Sequence, residues 1–149
     1  MKLSKPQLAA IVILIIAEIG ISLAAVMLTE RVTIPNYAAL KAVGIAFYTD
    51  AGAMQPATNI TWGTVYPGMN YTHLLYCKNI KNSNATLTLT VGGWNPVNAS
   101  TYIHCVWNYT GALLQPNQII PIDFELEIAS NVTGITNFSF NCTAIATAQ

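Results

Sequence analysis

At 149 residues the chain is long enough for one domain with one core. Only 8% of its residues are charged and 53% are hydrophobic, where a typical soluble domain is about 25% charged, so something other than charge must keep the surface solvated. The net charge is zero and no basic run exists, which argues against a nucleic-acid partner bound through its phosphates.

Residues 1–7 precede an apolar run of 21 residues, Leu8 to Leu28, interrupted by one charge, Glu18. As a helix the run spans ~31 Å at ~1.5 Å per residue, the thickness of bilayer hydrocarbon. Its Leu, Ile and Val side chains contribute roughly −0.3 to −0.6 kcal/mol each, which together outweigh the ~3 kcal/mol cost of one central acid. Lys2 and Lys5 lie ahead of the run. The positive-inside rule therefore places residues 1–7 in the cytoplasm and everything after Glu30 outside. Two readings of the segment 8–28 stand side by side. As a retained single-pass anchor it has the right length, and Glu18 either snorkels, protonates or takes part in a helix–helix contact. Gly20 and Ala24 form a small-xxx-small pair, but Glu18 is not three or four residues from Gly20, so the two features need not share a face. As a signal peptide the segment is cut after Ser22-Leu23-Ala24, with small residues at the two positions a signal peptidase reads.

A connector at 29–40, containing Pro35, leads to a domain at 41–149. Here the apolar period changes to two. Ala42 to Tyr48 alternates through Val43, Ile45 and Phe47. Ile60 to Val65 is a short strand stopped by Tyr66-Pro67-Gly68. Asn70 to Asn79 is longer and ends in the turn Lys81-Asn82-Ser83-Asn84. Ala85 to Val91 sets Leu87, Leu89 and Val91 against Thr86, Thr88 and Thr90, with Gly92-Gly93 and Asn95-Pro96 as breakers. Tyr102 to Tyr109 follows. Ile119 to Ala129 opposes Ile120, Ile122, Phe124, Leu126 and Ile128 to Pro121, Asp123, Glu125 and Glu127. The last strand, Ile135 to Ile145, puts Phe138, Phe140 and Cys142 on one face. Seven alternating strands with turn residues between them predict an all-β, immunoglobulin-like β-sandwich behind one N-terminal hydrophobic helix.

Asparagine carries the strongest functional pattern. Asn-x-Ser/Thr sequons occur at Asn59, Asn70, Asn84, Asn98, Asn108, Asn131, Asn137 and Asn141, eight of the thirteen asparagines. Ser and Thr make up about 15% of the chain, so chance gives about two; a Thr-rich β protein making them by accident is the competing account. All eight follow the apolar segment, on the side assigned to the exterior, as N-glycosylation requires. Glycans would also explain how so few charges suffice.

Cys77, Cys105 and Cys142 each take a strand position where the alternation asks for an apolar residue. They read either as small buried hydrophobes or, in an oxidising exterior, as one disulfide with one cysteine left over, the pair being open. His73 and His104 are single, and His104 points away from its neighbour Cys105, so that pair cannot chelate one ion. No His–Cys loop of cupredoxin spacing is present. Asp123, Glu125 and Glu127 line one face of a strand at ~6.8 Å intervals, a spacing that fits a charged strand discouraging edge pairing better than a cation site. No Ser, Cys or Thr has an identifiable base. The expectation is therefore no enzyme, no metal and no cofactor.

Several segments carry a resemblance: Lys41-Ala42-Val43-Gly44, Trp62-Gly63-Thr64-Val65-Tyr66-Pro67-Gly68, Tyr76-Cys77-Lys78-Asn79, Leu87-Thr88-Leu89, Trp94-Asn95-Pro96 with Asn98-Ala99-Ser100, and Gly134-Ile135-Thr136 with Phe138-Ser139-Phe140. Together they resemble a family of small archaeal surface proteins with one N-terminal membrane segment and one β-sandwich, although cysteine stands here where Val, Leu or Ile would be expected. More distantly, the layout is similar to the TasA and camelysin group of biofilm fibre proteins and to archaeal bundling-pilus subunits, in which a segment after the signal peptide completes the sandwich of the next subunit. It is also similar to archaeal type IV pilins, but Lys5-Pro6-Gln7-Leu8 has proline where their processing signal has a small residue.

The resemblance and the sequons imply a cell-surface structural glycoprotein, a subunit of an extracellular filament or pilus. Its partners would be copies of itself, N-linked glycans and, unless the segment is cleaved, the membrane. The alternative is a monomeric, membrane-anchored β-sandwich for binding or adhesion. For filaments, a cut after Ala24 would free Ala25 to Ile34, which is rich in β-branched and apolar residues and suits addition to a neighbour's sheet edge, with Pro35 ending the strand. With the anchor retained, filaments would form through helix packing instead.

Overall fold

The computed structural model of the chain describes residues 36–149. The segment expected to be a membrane helix or signal peptide, 8–28, lies outside the described residues, as does most of the connector. The described chain is all-β. Its strands are β1 (Asn36–Val43), β2 (Ile45–Tyr48), β3 (Asn59–Gly63), β4 (Asn70–Asn79), β5 (Ala85–Asn95), β6 (Ile103–Trp107), β7 (Ile119–Ile128) and β8 (Phe138–Ala148). A 3-10 helix, Val97–Thr101, joins β5 to β6. Among the described residues no helix is long and apolar enough to cross a membrane.

The strands form two four-stranded sheets, the first in the order β3-β1-β8-β5 and the second in the order β2-β4-β7-β6. Their apolar sides meet in one core that includes Ile60, Leu75, Ile122, Phe124, Leu126 and Phe140, all buried. Burying a side chain of this size stabilises the fold by roughly 1.5–3 kcal/mol before entropy is counted. The period of two decides which residues enter. Along β7, Ile122, Phe124, Leu126 and Ile128 are buried while Pro121, Asp123, Glu125 and Glu127 take the other side. Along β8 the buried set is Phe138, Phe140, Cys142, Ala144 and Ala146.

The last strand runs from Phe138 to Ala148 where Ile135 to Ile145 is expected, and β3 and β6 are shorter than expected; three further differences change the architecture. First, the described residues hold eight strands where seven are expected, because the stretch Ala42 to Tyr48 is not one strand. Gly44 breaks it with φ +76°, a left-handed conformation that only glycine adopts without strain, and the chain crosses there from the first sheet to the second. Val43 is consequently exposed while Ile45 and Phe47 are buried. Second, the connector ends earlier: β1 begins at Asn36, and its Ala38 and Leu40 enter the core. This strand is interior to its sheet, antiparallel to β3 and parallel to β8 from Asn36↔Phe138 to Val43↔Ile145. Third, β5 runs through Gly92-Gly93 to Asn95, with a register shift absorbing the glycines as a bulge. Among the described strands adjacent in sequence, only β6 and β7 are hydrogen-bonded neighbours.

Candidate functional site: an asparagine-studded surface

Six sequon asparagines are exposed: Asn59, Asn70, Asn98, Asn108, Asn131 and Asn137. Asn84 and Asn141 are partly buried. The two fully buried asparagines, Asn36 and Asn79, both stand outside sequons. Asn79 is a structural hub at the end of β4. Its Nδ2 donates to the carbonyls of Ser83 (2.9 Å), Leu114 (3.1 Å) and Gln115 (3.2 Å), and its Oδ1 accepts from the Lys81 N–H (2.9 Å). Asn36 Nδ2 donates to the Gly63 carbonyl at 3.2 Å, tying β1 to β3.

Five of the eight belong to the first sheet or its margins. Asn59 opens the edge strand β3, Asn84 precedes β5, Asn98 lies in the 3-10 helix after β5, and Asn137 precedes β8. Asn141 lies within β8 on the outer side, between Ala39 of β1 and Gly92 of β5. The neighbouring Gly93 has φ +66°, and a Cβ there would collide with the Asn141 amide nitrogen. Gly93 thus leaves room for the amide.

The second sheet holds its sequon asparagines differently. Asn70, at the start of β4, donates from Nδ2 to Glu125 Oε1 at 2.9 Å. Asn108, just past β6, donates from Nδ2 to Asp123 Oδ2 at 2.9 Å and accepts from the Asp123 N–H at 3.0 Å. An amide carrying a glycan keeps one N–H, so either bond is compatible with modification. Asn131 sits in the loop from β7 to β8. The pairing of Asn108 with Asp123 was open to sequence reasoning only through the β6–β7 hairpin, whose register brings residues 103–107 against 124–128.

The three cysteines are buried free thiols. Cys105 of β6 and Cys142 of β8 come from opposite sheets and bring their sulfurs to 3.8 Å. The Cys142 sulfur and burial push the Cys105 thiol far above its ordinary range. Burial pushes Cys77 up to about 12. His73 shares the inner side of β4 with Leu75 and Cys77, meets the Trp62 ring edge-on at 6.0 Å, and is held below its ordinary value by burial. His104 is exposed on the opposite side of the second sheet, in register with Glu127. Among the described residues no group of three or more His, Cys, Asp or Glu side chains gathers where it would hold a metal ion.

No protein-family model matches the chain, and no curated protein sequence matches it.

Proposed function

We propose that this chain is a cell-surface structural glycoprotein, a subunit of an extracellular filament, built as an immunoglobulin-like β-sandwich behind an N-terminal membrane segment. The observation that carries the reading is the sorting of asparagine. Eight of thirteen occupy sequons, none of those eight is fully buried, and both buried asparagines are excluded from the motif. Glycans at these positions would hydrate a surface that also exposes Tyr37, Val43, Leu74, Val97, Val106 and Ile145. The location of every sequon after the apolar segment supports an extracytoplasmic domain. Once the segment before it is cut, the stretch 25–34, rich in β-branched and apolar residues, would be free for assembly by strand addition at an open sheet edge.

One observation favours the second reading, a monomeric anchored module. β1 already lies between β3 and β8, so among the described residues the first sheet has no vacant interior strand position for a neighbour to fill. A donated strand would have to extend an edge.

Intact-mass measurement of protein from its natural source tests the glycoprotein reading: a mass well above 16.1 kDa is expected, and the bare mass from a glycosylating host would refute it. Assembly is tested by truncation. A chain starting at Asn36 is expected to be monomeric, and restoring Ala25 to Pro35 is expected to restore polymers. Absence of fibres from both native and recombinant protein would leave the anchored module as the function.

A further inference from the structure

We propose that Cys105 and Cys142 form a disulfide across the two sheets when the chain folds in an oxidising medium. That its natural medium is oxidising rests on the extracytoplasmic reading above; the choice of pair does not.

The geometry selects the pair. Both side chains point into the core from opposite sheets, and their sulfurs are already at van der Waals contact, 3.8 Å apart. A bonded pair stands at ~2.0 Å, so closure needs an approach of less than ~2 Å. Cys77 is excluded by register. On β7, Cys77 is opposite Ile120 and Cys105 is opposite Leu126. Six residues at ~3.4 Å per residue put Cys77 about 20 Å along the sheet from Cys105, and β7 lies between their strands. A disulfide requires Cα atoms within ~7 Å.

The bond would join a central strand to an edge. β8 is flanked by β1 and β5, whereas β6 has five residues and pairs only with β7. The oxidant is an external disulfide, either a small molecule or an oxidoreductase. One cysteine thiolate attacks a sulfur of that disulfide and expels the other as a thiolate. The second cysteine then attacks the mixed disulfide and expels the remaining thiolate. Two S–H bonds are lost, one S–S bond forms, and the external disulfide leaves as two thiols. Because both cysteines are buried in the finished fold, exchange takes place before the sheets close, and the completed bond is shielded from reductants.

The test refolds the reduced, full-length chain in detergent with a glutathione redox buffer, then unfolds it in denaturant with iodoacetamide present, so that buried thiols are also capped. Lys81 is the last basic residue, and Asp123, Glu125 and Glu127 are the acids between Cys105 and Cys142. Trypsin with an acid-specific protease therefore puts the three cysteines on three fragments. The expected map links the Cys105 and Cys142 fragments until reduction, with Cys77 capped. Reduction is expected to lower Tm by on the order of 10 °C. Cys105→Val and Cys142→Val should each abolish the link and the shift, and Cys77→Val should keep both. Three capped cysteines, or a link to Cys77, would overturn the proposal; the wild-type map decides this even if a variant does not fold. The pair linked after refolding but free in native protein upholds the pairing and counts against the extracytoplasmic reading.

Discussion

The outer faces of the two sheets share one alternation and differ in chemistry. Across the first sheet run Ala39 and Lys41 of β1, Ser139, Asn141 and Thr143 of β8, and Thr86, Thr88 and Thr90 of β5, with no carboxylate among them. Across the second run Thr72, Leu74 and Tyr76 of β4, then Asp123, Glu125 and Glu127 of β7, then His104 and Val106 of β6. Sequon asparagines on the two faces are correspondingly held in different ways. Asn70 and Asn108 are tied to carboxylates, whereas Asn141 is accommodated by a glycine bulge. A sequon therefore does not by itself say how its side chain is anchored; the residues on the neighbouring strand do.

Four measurements on unglycosylated protein would sharpen or break this contrast. The largest effect is expected at the bulge of the first sheet. Gly93→Ala imposes a side chain on a left-handed backbone and displaces the Asn141 amide, so it should cost about 1–3 kcal/mol in equilibrium denaturation. Gly92→Ala meets nothing within 4 Å and has no positive φ; it should stay within about 0.5 kcal/mol. Equal losses would mean that the bulge does not accommodate Asn141 in the way described.

Next comes the hydrogen-bonded asparagine of the second sheet. Asn108→Ala removes two bonds to Asp123 and should cost about 1 kcal/mol. Asn59→Ala, at an exposed position of the first sheet, should cost less than about 0.5 kcal/mol. Urea unfolding of both variants compares the two faces directly, and the contrast fails if Asn59 costs as much.

A smaller effect is expected from charge. Glu127→Gln relieves repulsion with Glu125, two positions away on the same side of β7. It should raise stability by about 0.3 kcal/mol at low ionic strength and by less at 1 M salt, where screening acts over ~3 Å. Lys41→Gln, on the face without acids, should show no comparable salt dependence.

The smallest effect belongs to His73. Burial holds its folded value below the ordinary one, so as pH falls the unfolded chain binds the proton first. This contribution to stability is complete above about 6.5 and declines as pH drops below it, until the lowered folded value is reached. The partial burial of His73 keeps the decline shallow. Melting curves at pH 7.5 and 5.5 should show it in the wild type, and His73→Gln should remove it. An unchanged pH response in that variant would assign the decline elsewhere.

How much was legible follows from range. β4 was bounded correctly, and the buried side of β7 and β8 could be read residue by residue, because a period of two is a local property of the chain. β1 was hidden. Asn36-Tyr37-Ala38-Ala39-Leu40 has two alanines where a half-buried strand usually shows large apolar residues, and only the partners β3 and β8 make Ala38 a core residue. Gly92-Gly93 would break an isolated strand, but in β5 they are tolerated as a bulge because the neighbouring strand β8 supplies the ladder, which the local residues do not reveal.

By itself, then, the sequence determined the all-β class, the inward residues of the longer strands and the positions of the eight sequons, each written in the order of nearby residues. The tertiary structure alone decided that β1 runs parallel to β8, that Gly44 passes the chain between sheets, that Asn108 meets Asp123, and that Cys105 meets Cys142 while Cys77 stands apart. Seven of the eight described strands find at least one partner far away along the chain or in parallel register, and among them only β6 and β7 pair as a hairpin. Which distant strand lies alongside is settled by the combined burial of two whole faces, a quantity that no local stretch of residues contains.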